Sequence, residues 1–432
     1  MSVPNIVVIY ADDLGYGDLG CYGSPAAGTP RLDALAASGV RATGWYSNAP
    51  VCSPSRAALL TGLHPDNAGV TSILGGRRGT PGLPADRTTL ATRLRAHGYA
   101  TGLFGKWHLG LAAQHRPTAH GFDEFFGFLA GCVDYYSHIF YWGQAGGVNP
   151  AHDLWDGDRE VWHNGRYLTE LITDRAVDFV DRHAGAQPFF CYVPYNAPHY
   201  PMHAPTEYLD RFADLPPDRR VMAAMVAALD DGVGRIMDAL VRNGIADDTI
   251  VVFSSDNGPS SESRNWLDGT EDAYYGGSAG IFRGHKGSLF DGGIREPFLI
   301  SYPRVLPAGM VCDGVAQMSD VVPTVLALAG LPVPSDVDGV DVSAMLRGGP
   351  SPHRRVYWAQ DAQLAVREGP WKLVLDGEVD LDRRTPRPDP VHLSHVDDDP
   401  GERVNLAAAH PERTARLTRA VRDWYANLKG TA

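Results

Sequence analysis

The chain has 432 residues, 44% of them hydrophobic, enough to bury a large core and to predict one big domain with a smaller one attached. A formal charge of −13 without a compensating basic tract excludes a nucleic-acid backbone binder and makes any local cluster of Lys, Arg and His informative. No apolar run has the length of a membrane span, no charged segment with an apolar follow-on precedes the first strand, and five scattered cysteines form neither a disulfide framework nor a zinc pattern; the expected home is the cytoplasm, unless an export signal has been removed.

Asn5 to Tyr10 is a nearly continuous apolar run, as expected of a strand buried on both faces of a largely parallel sheet. It ends in Ala11-Asp12-Asp13, and two adjacent carboxylates at a strand end call for a cationic partner if they are buried, or a solvated turn if they are not. Arg31 to Gly39 reads as a short helix. Then comes Cys52-Ser53-Pro54-Ser55-Arg56-Ala57-Ala58-Leu59-Leu60-Thr61-Gly62. Pro54 suits a first helical turn, Ala57 to Leu60 favour helix, and Gly62 suits a left-handed stop, so Cys52 stands at or just before a helix N-terminus. That position suits an anion and is expected to lower the pKa of a thiol, with Arg56 adding positive charge within one turn; the alternative is an inert buried cysteine.

A helix through Leu90 and Leu94 with a Gly98 stop leads into the strand Tyr99 to Phe104, followed by Gly105-Lys106-Trp107-His108. On an extended segment Lys106 and His108 face the same side. Gly131 to His138 is aromatic and irregular, fit either to line a sugar-sized pocket or to pack under a loop. Thr169 to His183 and Val221 to Asn243 are amphipathic helices, the second with an apolar stripe from Met222 to Leu240 that belongs to the core. The strand Pro188 to Val193 ends in Pro194-Tyr195-Asn196-Ala197-Pro198-His199. His199 and His203 have the spacing of a helical zinc pair, but Pro201 and Pro205 argue against a helix there.

Thr249 to Phe253 is the clearest central strand and ends at Ser254-Ser255-Asp256-Asn257-Gly258. Asp12, Asp13, Asp256 and Asn257 offer oxygen ligands only, the chemistry of a hard cation such as Ca²⁺ or Mg²⁺ and not of zinc. Lys286 lies in a Gly-rich loop whose spacing does not match a phosphate loop, before the strand Phe298 to Tyr302. Asp320 to Gly330 is helical. From about Arg347 the texture changes to short strands over Val356 to Ala359, Gln363 to Val366 and Trp371 to Leu375, then a Pro-rich loop from Arg383 to Pro390 and a helix from Pro411 to Leu428. Residues 1–346 are therefore expected to form the large α/β domain and 347–432 a small α+β subdomain.

The Cys52 segment resembles the signature of the type I formylglycine sulfatases, and the other stretches follow in that family's order: Asp12-Asp13, Gly105-Lys106-Trp107-His108, Ala197-Pro198-His199, Asp256-Asn257-Gly258, the Lys286 loop and Asp399-Pro400-Gly401-Glu402. Gly131 to His138 looks most like the arylsulfatase B (N-acetylgalactosamine-4-sulfatase) branch. The Lys286 loop departs from the pattern, with Asp291 where many relatives have Glu and Glu296 where many have an apolar residue.

The resemblance implies an alkaline-phosphatase-like α/β sandwich, with a large mixed, mostly parallel sheet between helices and a small C-terminal antiparallel sheet and helix. It implies a sulfuric ester hydrolase acting on a sulfated saccharide or aryl sulfate. Cys52 would be oxidised to Cα-formylglycine by a formylglycine-generating enzyme, and Asp12, Asp13, Asp256, Asn257 and an oxygen of residue 52 would hold Ca²⁺, with Mg²⁺ or Mn²⁺ less expected. Arg56, Lys106, His108, His199 and Lys286 would complete the catalytic set. The alternatives are a phosphate or phosphonate ester hydrolase of the same superfamily, and a non-catalytic carbohydrate binder in which Cys52 stays a thiol. No nucleic-acid or membrane partner is expected, and the pattern is silent on oligomeric state.

Overall fold

The computed structural model describes residues 3–26, 28–141, 150–261, 276–379 and 388–430. Most of the predicted Pro-rich loop, residues 383–387, lies outside them. The frame is a ten-stranded mixed sheet in the spatial order Met310–Cys312, Val40–Ala42, Phe298–Ser301, Thr249–Ser255, Asn5–Ala11, Phe189–Pro194, Ala100–Lys106, Glu124–Phe128, Trp155–Asp156 and Arg159–Glu160. The five strands from Thr249–Ser255 to Glu124–Phe128 are parallel, and Phe298–Ser301 runs antiparallel to both neighbours.

Alternation along the first strand shows why its sequence is apolar throughout. Ile6, Val8 and Tyr10 pack into one core, and Val7, Ile9 and Ala11 into another on the opposite face. Helix Cys52–Thr61 covers the first face through Ala57, Leu59 and Leu60. Helices Leu168–His183 and Pro217–Arg242 cover the second. The latter starts one turn before the predicted Val221, because Pro217 and the polar residues after it continue the helix beyond the apolar stripe. Gly62 ends helix Cys52–Thr61 at φ 74°, its N–H donating to Ala58 O, and a Cβ there would press on Val322 and Val337 at 3.1 Å.

A second, antiparallel sheet runs Val356–Gln360, Gln363–Glu368, Trp371–Leu375 and Val391–His395 in chain order. The fourth strand was not among those expected, since Val391-His392-Leu393-Ser394-His395 carries little apolar signal. One face of this sheet packs Val366, Leu373, Leu375 and Leu393 against Leu417 and Val421 of helix Pro411–Gly430. The other packs Trp358, Ala365 and Val374 against Tyr46, Leu289, Phe290 and Ile294. Among the described residues no helix is long and apolar enough to cross a membrane.

The seam between the sheets also buries charge. Lys372 Nζ donates to Asp291 Oδ1 at 2.6 Å and to Glu402 at 3.3 Å, all three side chains being fully buried. Burial alone would raise the Asp291 carboxyl, but Lys372 and Arg295 hold it well below the usual range. Burial pushes Glu402 up to about 7 against the pull of Lys372. Removing one member of such a set strands the others. Lys372→Met is therefore expected to destabilise the protein by about 3–5 kcal/mol, read as a lower unfolding midpoint in thermal or urea denaturation. A midpoint equal to the wild type's would show that the seam does not depend on this ammonium.

Candidate active site

The carboxyl ends of four parallel strands meet at one edge of the large sheet, the position at which open α/β sheets bind ligands. Asp12 and Asp13 follow Asn5–Ala11, Lys106 ends Ala100–Lys106, His199 lies on the loop after Phe189–Pro194, and Asp256 and Asn257 follow Thr249–Ser255. Backbone bonds tie these loops together: Asp12 N–H donates to Ala197 O at 3.1 Å and Asp256 N–H to Ala11 O at 3.2 Å. Cys52 opens helix Cys52–Thr61 from an extended Val51 that provides no side-chain cap, so the helix start faces the cluster. All of the site residues expected from sequence converge here, and all are buried.

Pairing is specific. Lys106 Nζ donates to Asp12 Oδ2 at 2.5 Å and Lys286 Nζ to Asp13 Oδ2 at 2.9 Å. Arg56 places Nε and Nη2 on Asp256 Oδ2 at 3.0 and 2.6 Å, with Nη2 also 3.5 Å from Asp12 Oδ1. The Asn257 amide donates to Asp13 Oδ1 at 2.7 Å, and Cys52 Sγ lies 3.6 Å from Asp12 Oδ1. Ligand atoms of Asp12, Asp13, Cys52 and His199 all fall within 4.8 Å of one another. His199 thus stands in the tightest group, where the sequence led us to expect a proton donor beside it. Asp256 stands at its edge, with Oδ1 accepting from Asp13 N–H and Oδ2 from Arg56.

The electrostatics correct one expectation. Burial drives the Cys52 thiol well above its ordinary pKa, and Lys106 and Lys286 offset this only in part. The desolvation of a fully buried side chain outweighs a helix start, so an unmodified Cys52 is a neutral thiol. Asp13 is likewise pushed up by burial, but Lys286, His199 and Lys106 outweigh that and hold it at about 2. Asp256 goes the other way, to about 6, because burial and the Asp12 charge exceed the pull of Arg56.

The donor set fits a hard divalent cation. Asn257 spends its amide nitrogen on Asp13 Oδ1 and Gly258 O, and its Oδ1 is buried with no hydrogen-bond partner. An orphaned amide oxygen beside buried carboxylates is the ligand chemistry of Ca²⁺ or Mg²⁺. The three carboxylates face three basic side chains, so a divalent ion would leave an excess of positive charge beside Cys52, suited to an anionic substrate.

His108 is set apart from Lys106. Lys106 is the last strand residue, whereas His108 takes a left-handed φ of 52°, so the pair does not share one extended face as the spacing suggested. His108 Nε2 lies 3.0 Å from Leu74 O, a carbonyl, which assigns the proton to Nε2. Nδ1 is buried without a partner, and burial with the Lys106 charge keeps the ring's pKa well below the ordinary value. His108 is therefore a neutral imidazole with a bare Nδ1, ready to accept a proton. A Cβ on Gly131 would come within 2.8 Å of its ring, so a side chain there would displace the imidazole.

Several contributors escaped the sequence reading. Leu74 bridges the helix start and His108, its N–H donating to Ser53 Oγ at 3.1 Å, and a backbone carbonyl leaves no side-chain signal. Tyr135 OH donates to Asn196 O and His199 O, so the Gly131 to His138 segment props the His199 loop. His203 pairs with Asp134 at 3.1 Å and not with His199 as a zinc pair. The C-terminal sheet grips the Lys286 loop: Gln363 Nε2 donates to Gly287 O at 2.7 Å, its Oε1 accepts from Leu289 N–H at 3.3 Å, and His285 N–H donates to Val379 O at 2.9 Å. Glu296, noted in the sequence as a departure, is fully buried with neither oxygen hydrogen-bonded. Burial, Asp256 and Asp13 raise its pKa far above that of a normal carboxylate.

The sulfatase family model matches residues 4–331, and the model for the C-terminal part of N-sulphoglucosamine sulphohydrolase matches residues 277–414. Arylsulfatase J of Mus musculus is 32% identical, over 97% of this chain and 75% of that protein. N-acetylgalactosamine-6-sulfatase of Canis lupus familiaris is 35% identical, over 85% of this chain and 71% of that protein. Among solved structures, Ps i-CgsB in complex with k-i-k-neocarrahexaose superposes with a TM-score of 0.85 at 32% identity, covering 98% of this chain and 93% of that one.

A pH prediction follows from Asp256. Because its carboxyl is raised to about 6 in the cation-free protein, a cation competes with a proton below that pH and not above it. The affinity for Ca²⁺ is expected to hold between pH 7 and 8 and to fall by up to about tenfold per unit below 6, with proton release on binding seen by calorimetry in two buffers. A dissociation constant unchanged between pH 7.5 and 5 would contradict the assignment of Asp256 as a ligand.

Proposed function

This chain belongs to the sulfatase family and is a sulfuric ester hydrolase, and we propose that it removes sulfate from sulfated saccharides using an oxidised Cys52 beside Ca²⁺. The observation that carries the reading is the buried cluster itself: Cys52 Sγ lies 3.6 Å from Asp12, with Lys106 and Lys286 bonded to the carboxylates around it. In the mature protein residue 52 is Cα-formylglycine, made by a formylglycine-generating enzyme, and Sγ stands where one hydroxyl oxygen of the hydrated aldehyde would lie. Asp12, Asp13, Asp256 and Asn257 would hold Ca²⁺, with an oxygen of residue 52 completing the set. When in place, the aldehyde hydrate supplies the attacking hydroxyl and a second hydroxyl for release of sulfate, and the cation lowers their pKa.

The chain's own groups do the rest. Lys106 and Lys286 bring ammonium groups to the sulfate oxygens as charge shifts toward them, and Arg56 keeps a buried, unpartnered Nη1 for the same purpose. His199 is fixed by Nδ1, which donates to Tyr200 O at 2.6 Å, so Nε2 faces the cluster. Lys286 Nζ donates to that Nε2 at 3.2 Å and Asp13 Oδ2 lies 3.5 Å from it, so Nε2 is an acceptor here and a proton passed to it from Lys286 would be the one given to the leaving alcohol oxygen. His108 would take the second proton at its bare Nδ1. Serine at 52 would lack the second hydroxyl and stop after one transfer.

N-acetylgalactosamine and the carrageenan sugars share the galactose configuration, which makes galactose-type sulfates the first substrates to try. Hydrolysis of 4-nitrophenyl sulfate, galactose and N-acetylgalactosamine sulfates and sulfated oligosaccharides by protein matured with the modifying enzyme tests the reading, with 4-nitrophenyl phosphate as the contrast. Cys52→Ala is expected to lower kcat on the order of 10⁴-fold or more while keeping the thermal stabilisation by Ca²⁺, since four oxygen ligands remain. Full activity in that variant, or an intact Cys52 thiol by mass spectrometry in active protein, would refute the role of residue 52.

A further inference from the structure

We propose that the surface running from Gly76 to Trp162 is a second saccharide subsite, which holds the pyranose ring next to the sulfated one in an oligosaccharide; the proposal rests on the sulfatase reading above. A narrow surface cleft lies there, its wall including Gly76, Arg78, Arg116, Leu129, His152 and Trp155. Two of these residues tie it to the catalytic site. Leu129 O accepts the His108 backbone N–H at 3.2 Å. Gly76 is two residues beyond Leu74, whose carbonyl meets His108 Nε2, so its Cα is within about 7.6 Å of that of Leu74. The wall of the cleft is therefore joined through its backbone to His108, the residue assigned to proton transfer.

Beside the cleft stands an aromatic platform. Trp162 is 62% exposed, the most exposed large aromatic among the described residues. It lies flat on His152, with ring centroids 4.9 Å apart and 13° between planes. His152 Nδ1 is 3.1 Å from Glu160 Oε1, and Arg78 clamps Glu160 through two bonds of 2.9 and 2.8 Å while lying 5.8 Å over Trp155. The indole is thus held from below by a connected network, which lowers the entropy lost when a ligand stacks on it. His152, which lines the cleft, has a buried Nε2 with no hydrogen-bond partner.

Charge decides between a sugar ring and a second sulfate. Arg78 is paired with Glu160, and Arg116 with Asp158 at 3.6 Å while stacked 4.3 Å over Trp155. The strip is therefore close to neutral. Paired donors and acceptors match the hydroxyls of a sugar, and an exposed indole matches the apolar face formed by its C–H bonds, whereas a sulfate would need unpaired cations.

The test uses competition against 4-nitrophenyl sulfate hydrolysis by the matured protein, with galactose 4-sulfate and a sulfated carrageenan tetrasaccharide as competitors. The wild type is expected to bind the tetrasaccharide more tightly than the monosaccharide. Trp162→Ala should weaken the tetrasaccharide roughly three- to tenfold, leaving galactose 4-sulfate and the KM and kcat for 4-nitrophenyl sulfate unchanged, and Trp162→Phe should restore most of the difference. A tetrasaccharide bound no better than the monosaccharide, or equal losses for all three ligands, overturns the subsite. No hydrolysis of 4-nitrophenyl sulfate by the wild type would instead overturn the sulfatase reading, so the two failures are distinct.

Discussion

Three carboxylates buried side by side are the constraint around which the rest of this molecule is arranged. Asp12, Asp13 and Asp256 are at most 2% exposed, and none could remain ionised there without a cation in contact. Their partners come from a helix, a strand end and a distant loop, with Lys286 separated from Asp13 by 273 residues. Only the completed fold brings Arg56, Lys106 and Lys286 to them. The same convergence that makes the carboxylates tolerable assembles the chemistry, and a single error in placing one cation would cost both.

Much of this was legible in the chain, for identifiable reasons. Strands buried on both faces must be apolar at every position, so Asn5–Ala11, Phe189–Pro194 and Thr249–Ser255 stand out, and the polar residues that break each run mark the sheet edge. The Cys52 stretch carries helix-start and helix-stop residues, and its resemblance to a known signature fixed the order in which the other parts would appear. What the residues could not convey is pairing. That Lys106 takes Asp12 and Lys286 takes Asp13 depends on strand register and loop path, and the balance of burial against charge that raises Asp256 and lowers Asp13 exists only in three dimensions. Leu74, which aligns His108 through its carbonyl, is invisible to any reading of side chains.

The small C-terminal sheet acts on the site from a distance. Gln363 and the backbone of Val379 hold the segment that carries Lys286 from one side, while Lys286 N–H donates to Pro259 O and Gly287 N–H to Pro50 O on the other. Asp291 ties the same segment to Lys372, whose Nζ reaches it at 2.6 Å, so a buried ion pair on the small sheet supports the wall behind Lys286.

The depth at which Cys52 lies has a consequence in time. It is 1% exposed, and the hydroxyl of the next residue, Ser53, accepts from the N–H of Leu74, whose carbonyl meets His108. No second enzyme could bring its own active site to that sulfur once the sheet and its loops have closed. Under the proposed maturation, the oxidation would have to happen on a nascent or still-open polypeptide, and a molecule that folded first would keep its thiol. Maturation would then be a race between a visiting oxidase and the chain's own collapse, and the fraction of active protein in a preparation would record who won.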